Sequence, residues 1–345
     1  MIETLKSLCA LSGVSGDEGD VRGYIINRIR DHAADIKTDV MGNLLVSKKG
    51  AKTPAEKIVF CSHMDEVGVI VTSITDDGYL KFGKAGDVDS RVLVGKTLWI
   101  GKQRVFGAIG TKAIHLTKAK DREKALERDD LYIDIGAKNH EDAEKLVKPG
   151  DLGAFDDDIR EFGNGFIKAK AIDDRFGCAV LLKLIESELP IDCFFAFTVQ
   201  EEVGMRGAYT AAFRTAPDIA VIIEGTSAAD LPSVPDHKKV CKAGDGPVIP
   251  FMDGASIYDR ELRGRITEIA DKNEIKWQTK NVVAGATDGA AFQRSRAGVK
   301  TVAISAPIRN LHSPSCVGKV SDMEAVFKLA MLFLEDFAAG LKVES

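Results

Sequence analysis

The chain has 345 residues with 47 Lys and Arg against 52 Asp and Glu, which gives a formal net charge of −5. This balance argues against a nucleic-acid binder, whose contact surface is basic, and no apolar run approaches the roughly 18 residues of a membrane span. Hydrophobic residues at 45% and charged residues at 29% are ordinary for a globular protein, so we exclude wholesale disorder.

The N-terminus and the cysteines favour a cytoplasmic protein. Residues 1–6 lack the basic and then apolar stretch of a cleaved signal peptide. The six cysteines are scattered without CxxC spacing, mostly within apolar runs, and we interpret them as reduced core thiols. They are Cys9, Cys61, Cys178, Cys193, Cys241 and Cys316.

Three different patterns of apolar residues follow one another along the chain. Residues 1–35 have helical periodicity, with Val21, Ile25 and Ile29 on one apolar stripe. A continuous apolar run at 58–61 predicts a strand buried on both faces. Between 67 and 162, short alternating stretches broken by glycines are typical of a small β domain with tight turns.

After residue 165, strands and helices alternate again. We predict a helix from about Arg175 to Leu189 and a last helix with a capping box formed by Ser321 and Glu324. The strands predicted here are Cys193–Val199, Ile219–Ile223 and Val302–Ile304.

The fold class that these patterns predict is α/β, with a mixed, mostly parallel sheet and helices on both faces. Residues 1–66 and 163–345 together form this domain. A small β-barrel-like domain, 67–162, is inserted into it.

Acidic residues or a histidine follow five apolar segments, four of them directly at the end of the segment and the fifth, His312, after a short loop. They are His63-Met64-Asp65-Glu66, Asp173-Asp174, Glu201-Glu202, Glu224 and His312. The carboxyl ends of parallel strands share one sheet edge, where ligand sites collect, so we expect these residues to converge. Carboxylates gathered there need a positive charge among them. Two histidines and several carboxylates without cysteine suit Zn²⁺, Co²⁺ or Mn²⁺.

The spacing within these segments indicates possible roles. Side chains at i and i+2 of an extended segment point the same way, so Asp65 can accept the second ring N–H of His63. Glu201 and Glu202 point to opposite sides, so one can bind metal while the other acts as general base. Asp173 can bridge two metals about 3.5–4 Å apart.

Each pattern also has a structural alternative when taken alone. His63 could be a surface histidine with a local hydrogen bond, and Asp173-Asp174 could cap a helix. Glu201-Glu202 could be a solvated pair and His312 a loop residue. Glu224 is harder to explain this way, because a strand end in a core rarely tolerates an unpaired carboxylate. The conjunction of all five favours a site.

Taken together, these segments resemble the tetrahedral aminopeptidases. This family of dinuclear metallopeptidases includes glutamyl, leucyl and lysyl aminopeptidases, and some members are labelled deblocking aminopeptidases or endoglucanases. The resemblance runs over essentially the whole chain. The segments that carry it are 63–68, 171–175, 201–204 and 311–314, with 131–137 and 286–290 in support.

The resemblance implies a role for each residue. His63 and Glu224 would bind one metal ion and Glu202 and His312 the other, with Asp173 bridging two zinc or cobalt ions per subunit (manganese is a third option). Glu201 would be the general base, deprotonating a water bridged between the metals and then protonating the leaving amine. Asp65 would orient His63.

The resemblance also implies substrates and an assembly. The substrates would be short peptides with a free N-terminus, and the chains would form dimers that build a hollow tetrahedral dodecamer, with 67–162 making dimer contacts. Two features depart from the family's usual pattern, the residue at 224 and the segment around His312. Glu224 stands where many members have Asp, Asn310-Leu311 replaces an approach containing Arg and Tyr, and Cys316 stands where many relatives carry Glu.

Three other functions remain open from the sequence. A glycosidase would need only two carboxylates, leaving the histidines and Asp173 without a task. A metal-dependent deacylase or carboxypeptidase on small amide substrates keeps the same site with a different substrate. A non-catalytic assembly protein would give Glu201 no role. The sequence determines neither the preferred N-terminal residue nor the physiological metal.

Overall fold

The computed structural model describes residues 1–118, 120 and 123–340. The helices are α1 (Ile2–Ala10), α2 (Gly19–Ile29), α3 (His140–Glu144), α4 (Ile172–Glu186), α5 (Arg206–Thr215), α6 (Arg260–Lys272), α7 (Gly289–Gln293) and α8 (Val320–Gly340). The strands are β1 (Asp35–Thr38), β2 (Leu44–Lys48), β3 (Ile58–His63), β4 (Gly68–Ile74), β5 (Leu80–Ala85), β6 (Thr97–Ile100), β7 (Val105–Thr111), β8 (Leu131–Asp134), β9 (Leu152–Phe155), β10 (Arg160–Phe162), β11 (Phe166–Ala169), β12 (Cys193–Thr198), β13 (Ile219–Ser227), β14 (Lys300–Arg309) and β15 (Cys316–Lys319).

The larger sheet is mixed, with its strands in the order β1-β2-β12-β3-β13-β14-β15-β11-β10. The central strands β12, β3, β13 and β14 are parallel to one another, and antiparallel strands flank them. Strand β11 is antiparallel to β15, which is antiparallel to β14, so β11 runs in the direction of the central strands. Five strands therefore end at the same edge of the sheet.

Helices cover both faces of this sheet, as the alternation along β3 shows. Ile58 and Phe60 pack into one apolar cluster with residues of α1, α2, α4, α6 and α8. Val59 and Cys61 point the other way, into a cluster with residues of α5 and α7. The predicted α/β class with helices on both faces is confirmed.

A closed barrel with the strand order β4-β5-β8-β7-β6-β9 lies between β3 and β10 in the chain. Its interior has its own apolar core, which includes Val69, Leu98 and Ile133. Strand β10 pairs with β11 in the larger sheet and is not part of the barrel. The predicted barrel-like domain is confirmed, while the boundaries 66/67 and 162/163 stay a prediction.

Several predicted elements differ from the observed ones. The first helical region consists of two helices. The helix predicted to reach Leu189 ends at Glu186, where the Ser187 backbone becomes extended, and Pro190 disfavours helical backbone at Leu189. Ser321 does not cap the last helix. That helix begins directly after β15, and the Val320 N–H donates to the Gly165 carbonyl 3.0 Å away, which satisfies a free helix-start amide without a side-chain cap.

Among the described residues, we find no helix with the length and apolar character needed to cross a membrane.

Candidate metal centre

The five predicted metal ligands lie at the common edge of the larger sheet. His63 ends β3, Glu202 follows β12, and His312 lies in the loop after β14. Asp173 stands in non-helical backbone at the start of α4, just beyond β11. Glu224 lies inside β13 because this strand continues past the predicted end at Ile223.

The sheet pairing explains how Glu224 is positioned. Strand β13 pairs with β3 only as far as Ile222, opposite Cys61. Its pairing with β14 continues to Ser227. Because β13 outlasts its pairing with β3, the Glu224 side chain can reach His63 at the end of β3.

The structure brings these five side chains into two adjoining clusters. One contains His63, Asp173 and Glu224, and the other contains Asp173, Glu202 and His312. In each cluster, every residue offers one atom that could bind a metal ion, and these atoms lie within 4.8 Å of one another. Asp173 belongs to both clusters.

The two oxygens of Asp173 face different histidines. Asp173 Oδ1 lies 3.8 Å from His63 Nε2, and Asp173 Oδ2 lies 3.8 Å from His312 Nε2. Glu202 Oε2 lies 3.3 Å from His312 Nε2. This is the arrangement that a carboxylate needs to bridge two cations.

Burial perturbs the carboxylates of the centre strongly. It raises the pKa values of Glu202 and Glu224 well above the ordinary range, because water no longer stabilises their charged forms. Burial opposes the charged form of His63 too, but the nearby negative charges of the Asp173 and Asp65 carboxylates outweigh it and raise the His63 pKa. For Asp173, the nearby ring of His63 outweighs burial and lowers the Asp173 pKa.

These residues fit a pair of divalent cations. Nitrogen and oxygen donors without a thiolate suit zinc, cobalt or manganese. Positive charge in the clusters would also offset the buried carboxylates, which otherwise favour protonation.

Asp65 holds Glu202, a member of the second cluster, and the adjacent Glu201 through their backbone N–H groups. Its Oδ1 accepts a hydrogen bond from the Glu201 N–H at 2.9 Å, and its Oδ2 accepts from the Glu202 N–H at 3.2 Å and from the Ser15 hydroxyl at 2.6 Å. His63 Nδ1 is closer to the Asp65 backbone carbonyl, at 3.1 Å, than to the carboxylate, at 3.4 Å. The orientation of His63 by the Asp65 carboxylate therefore stays a prediction, while the carboxylate itself holds the backbone of Glu201 and Glu202.

A buried ionic network, absent from the sequence predictions, supports the ligand-bearing segments. Lys170 Nζ donates to Glu66 at 2.8 Å. Arg175 donates to the carbonyls of Met64 at 2.8 Å and Leu8 at 2.6 Å. The network ties the segments before and after the ligands His63 and Asp173 to α1. In the sequence, this network is indicated by the acidic and basic residues that directly flank the ligand motifs.

Several segments that carry candidate ligands contain backbone conformations that residues other than glycine rarely adopt. Ala171, Gln200 and His312 have φ of 51°, 56° and 55°, in the left-handed region where non-glycine residues are uncommon. Such residues cluster at functional sites. Gly225 has a steric role, because a Cβ atom there would lie 2.5 Å from Asp173 Oδ1.

A cavity of about 280 Å³ opens beside the centre. The metal-ligand candidates Asp173, Glu202, Glu224 and His312 line it together with Glu201. Burial raises the Glu201 pKa well above the ordinary value for a glutamate. A carboxylate with raised basicity beside a candidate metal centre can exchange protons with a substrate or water in the cavity.

Comparison with known proteins identifies the family. The model of the M42 glutamyl aminopeptidase family matches residues 42–329. Lysyl aminopeptidase from Pyrococcus furiosus is 30% identical over 344 residues, which cover 97% of this chain and 96% of the relative.

Two solved structures have the same fold over nearly the whole chain. A TET aminopeptidase from a marine sediment archaeon, Thaumarchaeota archaeon, has a TM-score of 0.93 at 32% identity and covers 99% of this chain and 97% of its own. The Pyrococcus horikoshii TET1 peptidase, which can assemble into a tetrahedron or a large octahedral shell, has a TM-score of 0.85 at 38% identity, with coverages of 96% and 98%. The chain belongs to the M42 glutamyl aminopeptidase family and is an aminopeptidase, a hydrolase.

Proposed function

We propose that this aminopeptidase removes N-terminal residues from short peptides with two divalent metal ions. His63 and Glu224 would hold one ion, Glu202 and His312 the other, and Asp173 would bridge them. The observation that carries this proposal is the position of Asp173, whose two oxygens each lie 3.8 Å from a different histidine.

We propose zinc or cobalt as the metal, with manganese as a third option. The donor set of imidazole nitrogens and carboxylate oxygens supports this choice. When bound, such ions polarise a peptide carbonyl and lower the pKa of a water molecule.

Glu201 is the proposed general base. It takes a proton from the attacking water and returns it to the leaving amine. Its place in the same cavity as the ligands and its raised pKa support this role. Asp65 fixes the Glu201 backbone by accepting its N–H at 2.9 Å, and it contacts the ring of His63.

We further propose that the chain forms dimers that build a tetrahedral dodecamer, with 67–162 in the dimer contacts. The tetrahedron formed by the P. horikoshii relative supports this proposal. Exposed apolar side chains on the barrel offer contact area: Ile114 is 71% exposed, Leu116 59% and Phe106 48%. Light scattering should then give twelve times the 37.3 kDa of one chain; a monomeric mass would refute the assembly.

A cytoplasmic location completes the proposal. All six cysteines are buried and free of disulfides, as suits a reducing compartment. Fractionation of the producing cells, followed by immunodetection, tests this location.

The test of the activity is hydrolysis of aminoacyl-p-nitroanilides and short peptides, free and N-acetylated. Each substrate is measured after EDTA treatment and after zinc, cobalt or manganese is returned. Metal-dependent cleavage restricted to free N-termini is the expected result. Cleavage of the acetylated substrates would favour a deacylase, and undiminished activity in EDTA would refute the metal-dependent mechanism.

A further inference from the structure

We propose that Asn43 is a positioning residue that holds the loop of the proposed general base Glu201 in its active shape. This inference rests on the proposed function, which gives the base role to Glu201. It assigns a task to a residue of the turn between β1 and β2, which is not among the described residues that line the cavity.

The loop 199–207 carries Glu201 and begins where the larger sheet stops holding the backbone. Strand β12 pairs with β2 as far as Phe197, opposite Leu44. On its other side, β12 pairs with β3 as far as Thr198. The backbone beyond Thr198 therefore needs other hydrogen-bond partners, because buried N–H groups are costly to leave unpaired.

Buried side chains accept the N–H groups of four successive residues at the start of this loop. The pairs are Val199 with Asn43 Oδ1 at 3.0 Å, Gln200 with Glu18 Oε1 at 3.2 Å, and Glu201 and Glu202 with the two oxygens of Asp65 at 2.9 and 3.2 Å. All three acceptor residues are buried. Side chains from three separate segments thus take over the task of a neighbouring strand.

Asn43 differs from the other two acceptors because it contacts both ends of the loop. Its Oδ1 accepts from the Val199 N–H, and its Nδ2 donates to the Gly207 carbonyl at 2.9 Å. A terminal amide carries an acceptor and a donor together, which a carboxylate does not. The contact is close, since a Cβ atom at Gly207 would lie 2.3 Å from Asn43 Oδ1.

The turn that carries Asn43 holds its side chain in place. Asn43 Nδ2 donates to Asp39 Oδ2 at 2.8 Å, and the Asn43 N–H donates to Asp39 Oδ1 at 3.0 Å. Asp39 Oδ1 also accepts the N–H groups of Met41 and Gly42. Such contacts keep a supporting side chain in one orientation, as a precise site requires.

The loss of Asn43 would disturb the base through this loop. Val199 is fully buried, so its N–H would have no acceptor and the two ends of the loop would lose their shared partner. A general base works only within hydrogen-bond reach of the proton that it takes. A shift of about 1 Å in such a group can cost about 100-fold in rate.

The experiment measures kcat and KM at saturating metal with the aminoacyl-p-nitroanilide that the wild type cleaves fastest. Asn43→Ala should lower kcat by roughly 10- to 100-fold, with KM changed by less than about threefold. Asn43→Asp should lower kcat as well, because it keeps an oxygen for the Val199 N–H but loses the donor to Gly207. This second variant keeps the size of the side chain and tests the inference even when Asn43→Ala does not fold.

A double-mutant cycle separates positioning from a merely structural role. If Asn43 acts through Glu201, adding Asn43→Ala or Asn43→Asp to Glu201→Gln should reduce kcat little further, because the base is already absent. Two independent effects would instead multiply.

Asn273→Ala is the matched control. The Asn273 side chain also donates to a backbone carbonyl, that of Ile269 at 2.8 Å, at the end of α6. This variant should lose stability but keep its kcat per folded molecule. Melting temperatures of all variants show whether a loss of rate reflects unfolding.

Three outcomes would overturn the inference. One is a wild-type kcat in a folded Asn43 variant. Another is a cycle in which the effects of Asn43 and Glu201 multiply, which would make Asn43 structural. The third is a loss of rate that excess metal restores, which would assign Asn43 to metal binding through Glu202. A near-native kcat of Glu201→Gln would instead refute the proposed base, and this inference with it.

Discussion

Asp65→Asn should impair catalysis through the backbone that Asp65 holds, although Asp65 is not among the proposed metal ligands. The carboxylate is fully buried, and it accepts hydrogen bonds from the N–H groups of Glu201 and Glu202 and from the Ser15 hydroxyl. Asn keeps the shape but replaces one oxygen with an NH₂ donor. In either orientation, that donor must face at least one backbone N–H.

The hydrogen bonds at this site set the size of the effect. A hydrogen bond to a charged group contributes about 1.5–3 kcal/mol, and a buried donor left unpaired costs about 1–3 kcal/mol more. We therefore expect Asp65→Asn to lose about 2.5–6 kcal/mol of unfolding free energy. If the Glu201 carboxylate shifts with its backbone, a loss of about 2.7 kcal/mol in the transition state lowers kcat by about 100-fold.

The assay measures kcat, metal content and melting temperature on the same preparation, well below the melting temperature. Asp322→Asn is a matched control, because Asp322 is 2% exposed and accepts the N–H groups of Gly244 and Gly246 at 2.6 and 3.1 Å. The control should lose stability but keep its turnover per folded molecule. Wild-type kcat for Asp65→Asn at full metal occupancy would refute the reasoning.

Three further outcomes test the centre. Glu201→Gln should keep both metal ions by elemental analysis but lose several orders of magnitude in turnover; near-native rates would show that Glu201 is not the base. Gly225→Ala places a methyl group against Asp173 Oδ1, so metal titration should give at least about tenfold weaker binding, and unchanged affinity would contradict this. Because burial raises the pKa values of Glu202 and Glu224, the metal-free folded protein binds more protons than the unfolded chain above about pH 4.5. Its melting temperature should therefore fall as the pH rises from about 5 to 8, and a melting temperature that rises over this window would count against the protonation of these groups.

The positions of the metal-ligand candidates could be predicted because strand direction determines them. A run of apolar residues that ends in His63 or precedes Glu202 reveals a buried strand and its carboxyl end. The central parallel strands bring these ends to one edge. Asp173 also lies at this edge. Strand β11, which precedes it, and strand β14 are both antiparallel to β15, so β11 runs in the same direction as β14.

The supporting contacts could not be predicted because they join segments that the sequence keeps far apart. Ser15 meets Asp65 across 50 residues, and Arg175 meets the Leu8 carbonyl across 167. Nothing in the local pattern around these residues specifies such pairs, since they depend on how loops and helices pack. The wrong assignment of Ser321 as a cap has the same origin, because the last helix already begins at Val320, whose N–H donates to the distant Gly165 carbonyl.

The placement of the buried cations explains why the centre is left acidic. Arg175 and Lys170 lie beside ligand-bearing segments, yet they neutralise Glu66 and bind backbone carbonyls. If either ammonium or guanidinium group paired with Glu202 or Glu224, it would compete with metal ions for the same oxygens. These two cations stabilise the segments that carry the candidate ligands, and the carboxylates of the two clusters are left as candidate ligands for divalent ions.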